Sequence, residues 1–223
     1  RIFFTKKKYE EREMHTFEEW KKKLIIVRGG GDIATGTIYK LHQSRFPVLV
    51  LEIANPSCIR RTISFCEAVF DKEVEVEGVI AKRADSLEEA FAIYEQGQIP
   101  VMIDENGSTI ETLHPPVVVD AILAKKNIGT KIIDAPAVIG VGPGFCAGKD
   151  VDAVIETQRG HNLGRVIYEG EAAPNTGIPG RIAGYAKERV IHAPAAGNLH
   201  ILKQIGEIVQ AGDTIADIEG TPV

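Results

Sequence analysis

No stretch of the sequence comes near the roughly 18 uninterrupted apolar residues that a membrane-spanning helix needs. Basic charge is short as well. The 26 Lys and Arg face 31 Asp and Glu for a net charge of −5, which excludes the broad basic footprint of a nucleic-acid binder. Cysteine is scarce: Cys58, Cys66 and Cys146 have no metal-ligand spacing, and CIRRTISFC sets two of them eight apart, unlike CxxC. They read as idle reduced thiols of a cytosolic protein, with a chalcogen-carrying or metal-facing cysteine as the alternative. His15, His42, His114, His192 and His200 show no ligand spacing and read as structural. The opening RIFFTKKKYEEREMHTFEEWKKK has no apolar core or small-residue cleavage site and is not a signal-peptide pattern. With Arg first, Met14 as a natural start and an ending inside a motif, the chain reads as a fragment or as lacking its ends.

What is present is alternation. Hydrophobic residues at 44% over 223 positions suffice for a real core. Met14, Phe17 and Trp20, three apart in the charge-rich residues 9–22, predict a solvated helix with a narrow anchor. LIIVR (24–28), IATGTIYKLHQS (33–44) and PVLVLEI (47–53) read as strand, helix, strand, with strands apolar enough to be buried on both faces. VEVEGVIAKRA (74–84) reads as an alternating strand, SLEEAFAIYEQG (86–97) as a helix capped by Ser86 and Glu89, and QIPVMID (98–104) as a strand. PPVVVDAILAKKNIG (115–129) predicts a helix, and TKIIDA with AVIGVG one or two strands. After about residue 145 the segments shorten and turn all-β, with PNTGIPG (174–180) the most linker-like stretch. The expected organisation is an α/β chain: an N-terminal helical extension over 1–23, a Rossmann-like parallel-sheet domain over 24–165, and a small β-rich domain over 166–223.

The turn RGGGDIATG (28–36) lies between the first strand and its helix, and Gly29-x-Gly31-x-x-Ala34 fits a dinucleotide fingerprint. Glu52 ends the second strand twenty-three residues after Gly29, where an acid binds ribose hydroxyls. Asp32 conflicts with a phosphate there, because its carboxylate repels the anion and competes for the helix's free N–H groups. Asp32 is then a plain helix cap with no ligand, or a phosphate lies displaced toward Gly29 and Gly30, or Arg28 and the pair Arg60–Arg61 offset the carboxylate and hold a ligand with Gly29, Gly30 and Gly31. VGPGFCAGKD (141–150) supplies Gly142, Gly144 and Phe145 after a later strand, hence at the same sheet edge if the strands are parallel. ETQRGHNLGR (156–165) packs Glu156, Arg159, His161 and Arg165 into one loop, which could reach over that crevice to bind an anion or move a proton, or could be a solvated hairpin.

The segment HAPAAGNLHILKQIGEIVQAGDTIADIEGTPV resembles the first half of a biotinyl/lipoyl-type barrel-sandwich hybrid, through Ala193-Pro194, Gly197, Ile205-Gly206, Val209 and Gly212-Asp213. EGTPV stands where carrier domains hold their modified Lys, so a swinging-arm role is not expected. RGGGDIATG, VLVLEIANPSCIRRTISFCEAVF, the run from APAVIGVGPGFCAGKD to PNTGIPG and this barrel fragment together resemble the YqeB-type accessory proteins of selenium-dependent molybdenum hydroxylases, in consistent order over residues 24–223. The resemblance implies cytoplasmic work beside xanthine- or purine-oxidising molybdenum hydroxylases or their maturation proteins. By analogy with the related XdhC-like family, it also implies molybdenum cofactor (molybdopterin) as ligand. It carries over no catalytic residue, so enzymatic activity is open, as is assembly into a homo-oligomer. An NAD(P)-dependent oxidoreductase and a non-catalytic docking scaffold are the alternatives.

Overall fold

A computed structural model describes residues 16–223 and divides the chain into two compact units, one ending at Asn175 and the other Thr176–Val223. The break falls inside PNTGIPG, ten residues beyond the expected boundary at 165. The cause is that β10 (Val166–Ile167) pairs with β9 (Ala153–Ile155), and β11 (Gly170–Glu171) with β8 (Cys146–Ala147), inside the first unit.

The first unit is mixed α/β, built on one nine-stranded sheet in the order β10-β9-β7-β6-β1-β2-β5-β4-β3. The remaining strands are β1 (Ile25–Arg28), β2 (Val48–Glu52), β3 (Glu73–Val76), β4 (Val79–Ala84), β5 (Ile99–Ile103), β6 (Val117–Asp120) and β7 (Ala137–Val141). All neighbours from β9 to β4 are parallel, and antiparallel β10 and β3 form the edges. The chain starts at the centre with β1, builds outward through β2, then returns to β1's other side with β6. The carboxyl ends of β1 and β6 therefore flank a change of winding direction, the usual place for a ligand crevice in such sheets.

Side chains alternate across this sheet. Ile25, Val27, Val48 and Val50 pack on one face with Ala34 and Ile38 of α2 (Asp32–Gln43) and Ala68 and Val69 of α3 (Ala68–Asp71). Ile26, Leu49 and Leu51 pack on the other face with α1 (Phe17–Lys23), α4 (Leu87–Glu95) and α5 (Ser108–Leu113). Trp20 of α1 is 1% exposed and lies among the Phe17, Phe91 and Tyr94 rings, while the other residues of the helix are exposed or half-buried, so α1 is the solvated helix with a narrow anchor that its spacing predicts. A reciprocal Thr16–Glu19 capping box starts it. The expected helical residues from 9 to 15, Met14 included, and the structural reading of His15 lie outside the described residues.

Several expectations change. Residues 115–129 are not a helix: Val117–Asp120 form β6, and a loop follows. Three consecutive β-branched valines fit a strand buried between neighbours, and Asn127 turns the loop by accepting the amides of Gly129 and Thr130. TKIIDA forms no strand. Residues 74–84 are a hairpin, folded at Glu77–Gly78, where both φ angles are positive. α5 escapes the sequence reading because Asp104, outside the helix, accepts the amides of Ser108 and Thr109 and replaces an adjacent cap.

The second unit is a small antiparallel sheet of β12 (Leu199–Ile201), β13 (Ala216–Ile218) and β14 (Thr221–Pro222). The Glu219–Gly220 turn, again with two positive φ angles, carries no Lys. Among the described residues no helix is long and apolar enough to cross a membrane.

Replacing Trp20 by Ala should lower unfolding stability by about 3–5 kcal/mol, because the cavity lies under a ring cluster that cannot collapse around it. Urea unfolding of the two proteins measures this; a difference under about 1 kcal/mol would mean α1 is a loose attachment.

Candidate functional site

Gly29 has a φ of +89°, and a β-carbon there would stand 2.9 Å from the Ile122 Cα, so the turns after β1 and β6 approach closely. A β-carbon on Gly30 would lie 3.0 Å from the Cys66 amide nitrogen. The cause is a clamp: the Cys66 amide donates to the Gly30 carbonyl at 2.9 Å, and the Phe65 amide donates to Thr35 Oγ1 at 2.9 Å. Gly31 differs. It is the N-cap of α2, its φ of −64° suits any residue, and no atom lies within 4 Å of where a β-carbon would be.

Asp32 is not a helix cap, since no side chain caps α2. Its Oδ2 accepts from Arg60 Nη1 at 2.8 Å, so Arg60 offsets this carboxylate. Arg61 turns to Glu67 at 3.6 Å, and Arg28 is buried. Arg28 Nη1 lies 3.6 Å from Asp120 Oδ2, and the Thr130 hydroxyl bridges them, donating to Asp120 and accepting from Arg28. Asp120 and Thr130 were not foreseen. Their signal becomes visible only once β1 and β6 are known to be neighbours with Arg28 opposite Asp120.

Glu52 reaches the glycine turn, as its spacing suggested, but its bonds are internal. Oε1 accepts the Gly30 amide at 2.6 Å and Oε2 its neighbour Ile53's amide at 2.9 Å. Burial raises the carboxyl above its ordinary range despite these two donors. Burial likewise raises Asp120, against the opposing pull of Thr130, Ile122 and Arg28.

The second glycine cluster is at the same carboxyl edge but is roofed by chain. β-Carbons on Gly142 and Gly144 would meet Leu123 Cδ2 at 2.9 Å and the Lys126 backbone at 2.5 Å. Phe145 is core, against Gly140, so it faces no crevice. The loop between β9 and β10 springs from this edge, about 14 Å from β1 at three strand spacings. Arg159 and His161 are exposed on it. Glu156 anchors its base, with its carboxylate accepting the Gln158 and Ala173 amides; burial pushes its pKa up, but the amide donors outweigh that and hold it below the ordinary range. That engagement makes Glu156 a clamp, not a proton shuttle. The structure therefore brings together Gly29–Asp32, Glu52, Arg60 and Cys66, and leaves Arg159 and His161 on a separate loop of the same edge.

Gly30→Ala should destabilise the fold by about 1–3 kcal/mol through the Cys66 clash, whereas Gly31→Ala should cost less than about 1 kcal/mol. Thermal or urea unfolding compares them, and equal losses would contradict the clamp. For Glu52 the folded chain keeps a proton that the unfolded chain has released, so its contribution to stability falls as pH rises from the ordinary carboxylate range through the raised folded value. The stability of the wild type relative to Glu52→Gln should fall across that window. A constant or rising difference would show that burial does not govern this carboxyl.

No protein-family model and no solved structure matches the chain. It is 52% identical over 193 residues to YqeB of Escherichia coli (strain K12), a protein whose name assigns no activity. The match covers 86% of this chain but 36% of that relative, so the chain spans about a third of its length. Across those 193 residues the protein is YqeB-like.

Proposed function

We propose that the chain is the ligand-handling part of an accessory protein that matures or supplies selenium-dependent molybdenum hydroxylases, and that its crevice takes the phosphate of molybdopterin. The observation behind this is the amino end of α2. No side chain caps it, the space beside Gly31 is open, and Arg60 offsets the Asp32 carboxylate. A helix amino end with free amides and a positive dipole favours an anion.

The phosphate end of the cofactor fits these residues. Among the described residues no cluster of His, Cys, Asp and Glu could hold a metal ion, so molybdenum would arrive on the pterin's own sulfur ligands. Gly31 and Arg60 would hold the phosphate, and the Arg159–His161 loop would close from the β9 side. The strand order and change of winding beside β1 support a Rossmann-like reading of the first unit, and the short hairpins of the second support half of a barrel-sandwich hybrid. The partners would be a xanthine- or purine-type hydroxylase or its maturation proteins in the cytoplasm.

The NAD(P) alternative is weaker, because Glu52 would have to release Gly30 and Ile53 to bind ribose. A docking-scaffold reading has its own support in the second unit, where Ile208 is 91% exposed and Ile201, Leu202 and Ile205 are also exposed.

Anaerobic purification from cells that make molybdenum cofactor, followed by native mass spectrometry and pterin fluorescence, tests the proposal. A pterin mass is expected, lost in a folded Gly31→Leu variant. A nucleotide mass would favour the oxidoreductase, and a pterin retained by Gly31→Leu would overturn the assigned crevice.

A further inference from the structure

The sheet of the second unit has two outer strands, β12 and β14, and they differ in what they offer a further strand. In β13 the Ala216 carbonyl accepts the Val223 amide at 2.8 Å, so Ala216 turns its backbone groups toward β14. The alternation of an antiparallel ladder then turns those of Asp217 toward β12. Asp217 lies opposite His200 in β12 and opposite Pro222 in β14. His200 therefore bonds inward, and the N–H and C=O groups of Leu199 and Ile201 face away from the sheet. On the other side the outward position falls on Pro222, which has no N–H to offer. The β3 edge of the large sheet is guarded differently, by the exposed Glu73 and Glu75. β12 has neither device: its Leu199, His200 and Ile201 are exposed and include no Pro, Lys or acid. Leu199 and Ile201 share a face with the buried Ile218 and Ala216 opposite them, yet are themselves 58% and 43% exposed.

We propose that β12 is a self-pairing edge, to which a second copy of this chain adds its own β12, antiparallel, about a two-fold axis through His200. The strand is self-complementary in that register. Leu199 of one copy lies opposite Ile201 of the other, both present outward backbone groups, and the two exchange both hydrogen bonds, as does the symmetry-related pair. Leu199 and Ile201 of the two copies then lie side by side on the apolar face, each covering part of the other. The same register carries Lys203 of one copy to the Gly197 end of the other. There the Glu219 side chain lies over Gly197, where a β-carbon would stand 2.6 Å from its Cγ, so a cation arrives beside a carboxylate. Within its own chain Lys203 reaches Glu207 at 3.7 Å, in an exposed pair that leaves it free to turn. The assembly also closes. Two three-stranded sheets become one of six strands whose outer strands are both β14, each with Pro222 in the outward position, so growth stops at two copies. This inference stands whether or not the first unit binds a pterin.

Sedimentation equilibrium of the full chain over a concentration series, with oxidative cross-linking of single-cysteine additions, tests the proposal. The wild type is expected to reach twice the mass of one chain, and the double variant Leu199→Lys, Ile201→Lys to stay at the mass of one. His200→Cys, at an exposed position, is expected to join two copies through the introduced thiol, because facing residues on such an axis stand about 4.5 Å apart at Cα. Thr221→Cys on β14 should not cross-link, since five strand spacings put it about 24 Å from its counterpart. If the lysine variant fails to fold, the two cysteine variants decide alone. A wild type that remains monomeric at every concentration would overturn the proposal. So would a dimer in which His200→Cys fails to cross-link, or in which Thr221→Cys cross-links as readily, because the contact would then lie on another surface.

Discussion

The buried pairing of Arg28 with Asp120 is the constraint on which the carboxyl edge of the sheet depends. Both side chains are removed from water at the last positions of adjacent central strands, in register with one another. An isolated charge so placed carries a desolvation cost of several kcal/mol, and this arrangement offsets it with a counter-charge and a bridging hydroxyl. The bridge comes from Thr130, ten residues beyond Asp120, so the loop after β6 must fold back for the charges to be satisfied. Once it does, Ile122 closes on Gly29 and Lys126 closes on Gly144, which is why both positions are glycine. The two glycine turns are thus explained first by how the chain packs on itself.

How legible this was follows from how local each feature is. The β1–α2–β2 unit shows in the sequence because its apolar periods, its glycines and the acid closing β2 lie within one short stretch. Ser86 and α4 are legible for the same reason. VVVDAIL was misread because a short apolar run serves a buried strand or a helix equally well, and what decided it was Asp120 meeting Arg28 from a distant segment. α5 was missed because its capping acid, Asp104, sits three residues upstream of its N-cap Gly107, across a turn. In the site, the spacing located Glu52 and suggested Arg60 as the neutralising group, yet it could not show that Glu52 turns inward to Gly30 or that Arg28 is buried.

The glycine turn is therefore largely satisfied by its own chain, and this narrows what a ligand can do there. The Gly30 amide is taken by Glu52, the Gly30 carbonyl by Cys66 and Thr35, and the Asp32 carboxylate by Arg60. An anion approaching at Gly30 would have to displace a charge-assisted hydrogen bond to Glu52, and it would face that carboxylate as well. At Gly31 it meets neither obstacle. There the first amides of α2 have no side-chain cap, and Arg60, more than half exposed, can hold Asp32 and still turn toward a second anion. A ligand bound as proposed would consequently sit one residue along the turn from where a dinucleotide fingerprint would put it. The acid that gives the sequence its dinucleotide look acts instead as the brace that keeps the turn rigid.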